Sequence, residues 1–254
     1  MVKKILYIVT IIILSSCKND IQKSHKIVTK WYYSNGKLKK IQEYNKSGRE
    51  HGTYAFYYPN GVLKDSAKIN NNKFQGKRFG YYENSKLYRI TNYINGVERN
   101  IVKFNINGSL KEYIAFTYTG EAVFIIHYDT TSRIMNYEGN PIHSWVQEKS
   151  YPIGKEFSVE LLVIKPPNCK EELIISDWSN EKKCNVNQQK YTPDESNKVT
   201  YSRKQNPIKD LYILHVAKIQ DTIWKITLID TLIIKVAKDG KSTYTKTLSN
   251  IDKL

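Results

Sequence analysis

The chain has 254 residues, 40 Lys+Arg against 24 Asp+Glu, a formal net charge of +16 and 20 tyrosines. That length suits one large domain or two modest ones. Beyond the first apolar segment there is no second long apolar run, which excludes a later membrane-spanning helix. Abundant Tyr, Ile, Val and Thr, with no long run of helical period, point to an all-β chain.

At the N-terminus, Lys3 and Lys4 precede an apolar run from Ile5 to Leu14, and Leu14-Ser15-Ser16-Cys17 closes it. A basic start, about ten apolar residues and a small-residue cleavage site make a secretory signal. The run is too short to cross a bilayer, which takes roughly 20 residues. The tetrapeptide resembles a bacterial lipobox. That resemblance implies cleavage ahead of Cys17, acylation of its thiol and attachment to a cell-envelope membrane. The outer membrane is the expected destination, with the periplasmic or surface face left open. An ordinary signal peptide with a chance cysteine, or an uncleaved anchor, are the alternatives. Residues 1–16 are therefore read as signal peptide and 17–27 as a lipidated tether. Several acyl chains on one residue hold firmly, because each buried CH₂ contributes about 0.8 kcal/mol.

Loss of residues 1–16 removes two lysines and leaves a mature charge of +14. The excess is uneven. Residues 18–143 carry 20 Lys+Arg against 10 Asp+Glu, and residues 144–254 carry 18 against 14. Nucleic acid is the usual partner for such charge, but an exported lipoprotein is not expected to meet it. An anionic envelope polymer or an acidic protein is the expected partner. A merely solvated, lysine-rich surface is the other reading.

A repeat fills the first half. Five segments align on Gly36, Gly61, Ser85, Gly108 and Ser132, at spacings of 25, 24, 23 and 24. One residue earlier stand Asn35, Asn60, Asn84, Asn107 and Thr131. Four residues earlier stand Tyr32, Tyr57, Tyr81, Phe104 and Tyr128, and two residues later Leu38, Leu63, Leu87, Leu110 and Ile134. Agreement in four columns marks a repeat architecture. Asn-Gly tolerates positive φ at both positions, as a two-residue type I′ hairpin turn requires. Looser turns are expected between copies, at Asn45–Gly48, Asn70–Lys73 and Asn95–Gly96. Successive hairpins then build an elongated antiparallel sheet over residues 28–143.

Tyr57-Tyr58-Pro59-Asn60-Gly61-Val62-Leu63-Lys64 resembles the core of the MORN repeat variant of bacterial exported proteins, and His51-Gly52-Thr53-Tyr54 its Gly-x-aromatic segment. The resemblance is good over 31–88, weaker to 112 and degenerate to about 143. Ser85 and Ser132 replace the turn glycine, so those turns are expected to be looser or of another type. The family implies a hairpin array used for binding or display, and some members are labelled antitoxin components. A two-residue turn would place Tyr58 opposite Leu63 and Tyr57 opposite Lys64. One face then carries the stripe Tyr32, Lys39, Tyr57, Lys64, Phe104 and Lys111, a candidate platform for sugars or anionic polymer. Ordinary cross-strand packing with lysine stems lying over rings is the alternative.

The repeat stops after Pro141. Expected strands follow at Trp145–Lys149, Phe157–Ile164, Leu173–Trp178, Lys198–Arg203, Leu211–Ile219, Ile223–Leu228 and Thr231–Ala237. They suggest a β-sandwich of immunoglobulin-like type over 144–254, able to fold by itself. Gly154–Val159, leading to Pro166-Pro167, resembles the first strands of bacterial surface sandwiches. Cys169 and Cys184 are the mature chain's remaining cysteines, and an exported pair is read as a disulfide. Free thiols remain open, and a metal site lacks nearby histidines.

The five histidines, His25, His51, His127, His143 and His215, have no metal-ligand spacing, and no nucleophile elbow or phosphate loop occurs. No cofactor, metal or enzymatic activity is expected. The expected function is a lipid-anchored binding or scaffolding module acting through the repeat sheet. An antitoxin-like protein sequestering one partner is the alternative, followed by an envelope glycan hydrolase.

Overall fold

The computed structural model describes residues 26–144, 153–179, 184–194, 197–204, 210–239 and 241–252. All regular elements described are strands. The first ten, from β1 (Ile27–Tyr32) to β10 (Ile134–Gly139), lie side by side in chain order as one antiparallel sheet. Each strand pairs with the next in sequence, as a hairpin array demands.

The turns differ from expectation in an instructive way. At the Gly36, Gly61, Ser85, Gly108 and Ser132 edge, each turn spans three residues. In the second copy, Gly61 N–H donates to Tyr58 O at 2.8 Å and Tyr58 N–H to Val62 O at 2.8 Å. The Asn-Gly pair is therefore not type I′, since only Gly61 has positive φ, at 93°. Pro59 and Asn60 occupy the centre of a type I turn, which Pro favours at its first central position, and Gly61 follows in the left-handed region. The asparagine is selected by its side chain, whose Oδ1 accepts from the N–H two residues on, at Lys37, Val62, Lys86 and Ser109. Ser85 and Ser132 keep the same geometry at φ 67° and 70°, so their turns are not looser. The two-residue type I′ turns lie on the opposite edge, at Asn71-Asn72 and Asn95-Gly96, where both residues have positive φ.

β11 (Ile142–Ser144), β12 (Glu156–Val163) and β15 (Lys198–Lys204) form a second sheet. β14 (Cys184–Tyr191), β13 (Cys169–Ser179), β16 (Leu211–Asp221), β17 (Thr227–Val236) and β18 (Ser242–Asp252) form a third. These two sheets enclose one core, with Leu161, Leu173, Ile175, Ile213, Leu232 and Ile234 fully buried. The expected strands at Ile223–Leu228 and Thr231–Ala237 are one strand, β17, because Thr222–Ile226 form the turn that feeds it. β14 and β18 are polar enough to have escaped notice, and the strand expected at Trp145–Lys149 lies outside the described residues.

His215 sits inside this core, fully buried. The Tyr201 hydroxyl donates to its Nε2 at 2.5 Å, and its Nδ1–H donates to Leu232 O at 2.9 Å. Burial pulls its pKa down to about 4, so the ring is neutral.

A second core joins the two parts of the chain. Val102, Leu110, Tyr113, Phe124 and Ile126 of the repeat sheet pack with Leu162, Ile164, Ile219 and Leu228 of the sandwich. The first strands have no such cover: Ile27, Val28 and Tyr32 of β1 are more than half exposed.

Candidate binding surfaces

The three-residue turns shift the register by one residue from the two-residue expectation. Tyr32, Tyr57 and Phe104 pair with Leu38, Leu63 and Leu110. Lys39, Lys64 and Lys111 follow as bulge residues without a cross-strand partner, because pairing resumes at Lys40, Asp65 and Glu112. The expected Tyr–Lys stripe therefore splits. Phe104 turns to the second core with Leu110. Lys39 and Lys64 instead reach over the following tyrosines, Tyr33 at 5.5 Å and Tyr58 at 5.0 Å from ring centroid to Nζ. All three lysines are exposed. In the fourth copy Asn105 replaces the ring, so Lys111 has no tyrosine beneath it. In the third copy Tyr88 takes the lysine's place and meets Tyr82 edge-on, with centroids 5.1 Å apart.

Sequence reading missed the tyrosine column that matters most for coupling between copies. Tyr33 donates to Tyr57 O at 2.6 Å, Tyr58 to Tyr81 O at 2.9 Å, and Tyr82 to Phe104 O at 2.9 Å. Each copy thus clips the backbone of the next. Turn asparagines repeat the device: Asn35 donates to Pro59 O and Asn107 to Thr130 O. The signal was present, since Tyr33, Tyr58 and Tyr82 recur 25 and 24 residues apart.

The face bearing Lys39 and Lys64 also carries rings and paired charges. Lys40 lies 4.9 Å over Trp31 and 5.4 Å over Tyr54. Asp65 receives Nε and Nη2 of Arg78, both at 2.8 Å, and Arg89 approaches at 3.5 Å. Lys103 pairs with Glu112, which His127 also approaches at 3.6 Å. Strands lie about 4.8 Å apart. Equivalent residues of successive copies are therefore about 10 Å apart, which sets Lys39 and Lys64 about 10 Å apart and Lys111 about 20 Å further on, past Tyr88.

On the opposite face, a cleft of about 1020 Å³ opens between strands β5–β8 and the Lys165–Cys169, Asp194 and Asn197 segments of the sandwich. β5 is Lys73–Tyr81, β6 Leu87–Ile94, β7 Val97–Phe104 and β8 Leu110–Phe116. Its wall includes Tyr113, only 1 % exposed, whose hydroxyl has no partner among the described residues. Burial raises the pKa of Tyr113 and Tyr128.

The expected Cys169–Cys184 disulfide is not formed. Cys169 is a free thiol, and burial pushes its pKa up to about 12, which keeps it protonated. Cys169 begins β13 opposite Asp221, whereas Cys184 pairs with Ser179 at the other end of the same strand. Ten residues of extended strand separate the two ends by roughly 33 Å, against a Cα limit near 7 Å for a bridge. Cys17 lies outside the described residues, as does His25. Among the described residues no three His, Cys, Asp or Glu side chains gather as a metal site, and no helix is long and apolar enough to cross a membrane.

No curated protein matches the chain. The family described as MORN repeat variant matches residues 27–46, 50–71 and 74–95. Those boundaries fall on the first three hairpins, whose turns centre on Gly36, Gly61 and Ser85 and whose tyrosines form the clip. Residues 27–95 of this chain are an array of three consecutive MORN repeat variants.

Proposed function

We propose that this chain is a lipid-anchored cell-envelope protein. It binds or scaffolds without catalysis, and the repeat sheet is its contact surface. One observation carries the reading: Lys39 and Lys64 stand at equivalent bulge positions of successive copies, each exposed and each over a ring. Lys111 continues the row two copies on. Rings beneath amines offer stacking and charge together, and a row of cations about 10 Å and then about 20 Å apart suits a polymer with repeated negative charge. The signal-like N-terminus ending at Cys17 supplies the membrane attachment. The partner in this reading is an anionic envelope polymer, taken up by long-range attraction and held at short range.

Two measurements test it. Metabolic labelling with a fatty-acid analogue should mark the wild type and miss Cys17→Ala. Envelope extract passed over the immobilised chain should give up acidic polymer to the wild type and much less to the Lys39→Ala, Lys64→Ala, Lys111→Ala triple variant. An unlabelled wild type removes the anchor. Equal capture by the triple variant removes this face as the contact surface.

A further inference from the structure

The cleft on the other face of the sheet is built for a different ligand. Five carboxamide residues line it: Gln75, Asn92 and Asn100 from the adjacent strands β5, β6 and β7, and Asn168 and Asn197 from the sandwich loops. Asn92 and Asn100 are directly opposite in the ladder, and the Asn92 side chain donates to Asn100 Oδ1. That bond fixes both side chains and leaves the Asn92 oxygen, the second Asn92 N–H and the Asn100 N–H groups for a ligand. Asn168 and Asn197 hold left-handed backbones, at φ 58° and 63°, which asparagine tolerates better than other side chains.

Two buried polar atoms in the wall lack partners among the described residues: the Tyr113 hydroxyl and Arg99 Nε. Arg99 is held in place by its Nη1, which donates to Thr117 O at 2.9 Å, and by the Tyr118 ring 4.4 Å away.

The chemistry selects among ligands. An extended peptide needs a free strand edge for its backbone, but this is the face of the sheet, where backbone groups are spent on the ladder. Recognition must come from side chains. A carboxamide offers a donor and an acceptor side by side, as a sugar hydroxyl pair does. A polyanion is disfavoured, because Lys165 is tied to Glu171 at 2.6 Å and Asp194 stands on the same rim. Ligand clefts span roughly 300–1,000 Å³, so this one takes several sugar rings rather than one.

We propose that the cleft between the repeat sheet and the sandwich binds an uncharged oligosaccharide, read by Asn92, Asn100, Asn168, Asn197 and Arg99. The site lies toward the Asn95-Gly96 edge, away from the Gly36–Gly61 edge that carries the lysine row, and it does not depend on that row.

Calorimetric titration of the full chain with maltohexaose, cellohexaose and chitohexaose tests the assignment. At least one should bind saturably, and its affinity should change less than about twofold between 0.1 and 0.5 M salt, since no charge pair is involved. Asn168→Gly with Asn197→Gly removes two carboxamides without straining either backbone, and should weaken binding at least about tenfold. Arg99→Met, a second variant in a different element, should weaken it as well. The triple lysine variant should bind these sugars as the wild type does. Three outcomes overturn the proposal: no binding of any of the three, binding that falls steeply with salt, or binding indifferent to both cleft variants while circular dichroism shows a native fold. Each leaves the lysine-row reading standing, because polyanion capture is measured separately.

Discussion

A single imidazole makes the sandwich sensitive to acid. His215 is buried and neutral, with both ring nitrogens engaged by Tyr201 and Leu232. Its folded pKa is about 4, while an unfolded histidine takes a proton near pH 6.5. The stabilisation is therefore complete above about pH 6.5 and is lost as pH falls toward 4, by about 3 kcal/mol for the one group. The unfolding midpoint in urea should drop over that window in the wild type, and this part of the slope should vanish in His215→Leu, whatever the variant's absolute stability. An unchanged slope would place the acid sensitivity elsewhere. At Asp65, removal of the carboxylate strands two partly buried guanidiniums, Arg78 and Arg89. Asp65→Ala should cost about 2–3 kcal/mol in the same assay, more than loss of an exposed pair such as Lys190–Glu172.

The hairpin is the element that repeats, and its turn gives a differential test. Ser85 and Ser132 both hold a left-handed backbone that glycine adopts at no steric cost. Ser85→Gly should stabilise the chain by about 1 kcal/mol in thermal unfolding. Ser132→Gly should gain much less, because the Ser132 hydroxyl accepts from Leu110 N–H at 2.8 Å and glycine leaves that donor unpaired. Equal gains at the two sites would mean that this bond contributes nothing. The repeat, its period and its turn glycines were legible in sequence because they recur in register. The turn type was not, because Asn-Gly suits either a type I′ pair or the end of a type I turn. Pro59, which favours the latter, was the available clue. One residue of turn length moved Tyr57 away from Lys64 and placed Tyr58 beneath it, so the lysines of the candidate face were found but their aromatic partners were misread by one position. β14 and β18 were invisible because Asn, Gln, Lys, Ser and Thr dominate them, and pairing to β13 and β17 supplies what their composition does not. The cleft was not legible at all. Its residues come from two parts of the chain, and no local pattern announces them.

At the scale of the molecule, the two halves share apolar contacts through the second core. A cut near Pro141 would expose Leu162, Ile164, Ile219 and Leu228 on the C-terminal piece. The separate piece is therefore expected to bind a hydrophobic dye and unfold at lower denaturant than the sandwich strands of the full chain, contrary to the independence its sequence suggests. Stability should also run along the array. Burial is slight at β1, whereas alternate residues of β8 and β9 (Ala122–Tyr128) are buried, so amide hydrogens of β1 and β2 (Leu38–Tyr44) should exchange well before those of β8 and β9. The weakly covered copies are the ones that present Lys39 and Lys64 over their rings. The most direct measurement is the affinity of the full chain for polygalacturonate, across a salt series, for the wild type and the Lys39→Ala, Lys64→Ala, Lys111→Ala variant. Exposed lysines contribute little to folding but add to the attraction that salt screens over about 10 Å at 0.1 M. The wild type should bind with a steep loss as salt rises. The variant should fold normally, bind roughly tenfold more weakly at low salt and show a shallower slope. Equal affinity and equal slope for the two proteins would contradict the repeat sheet as the binding surface.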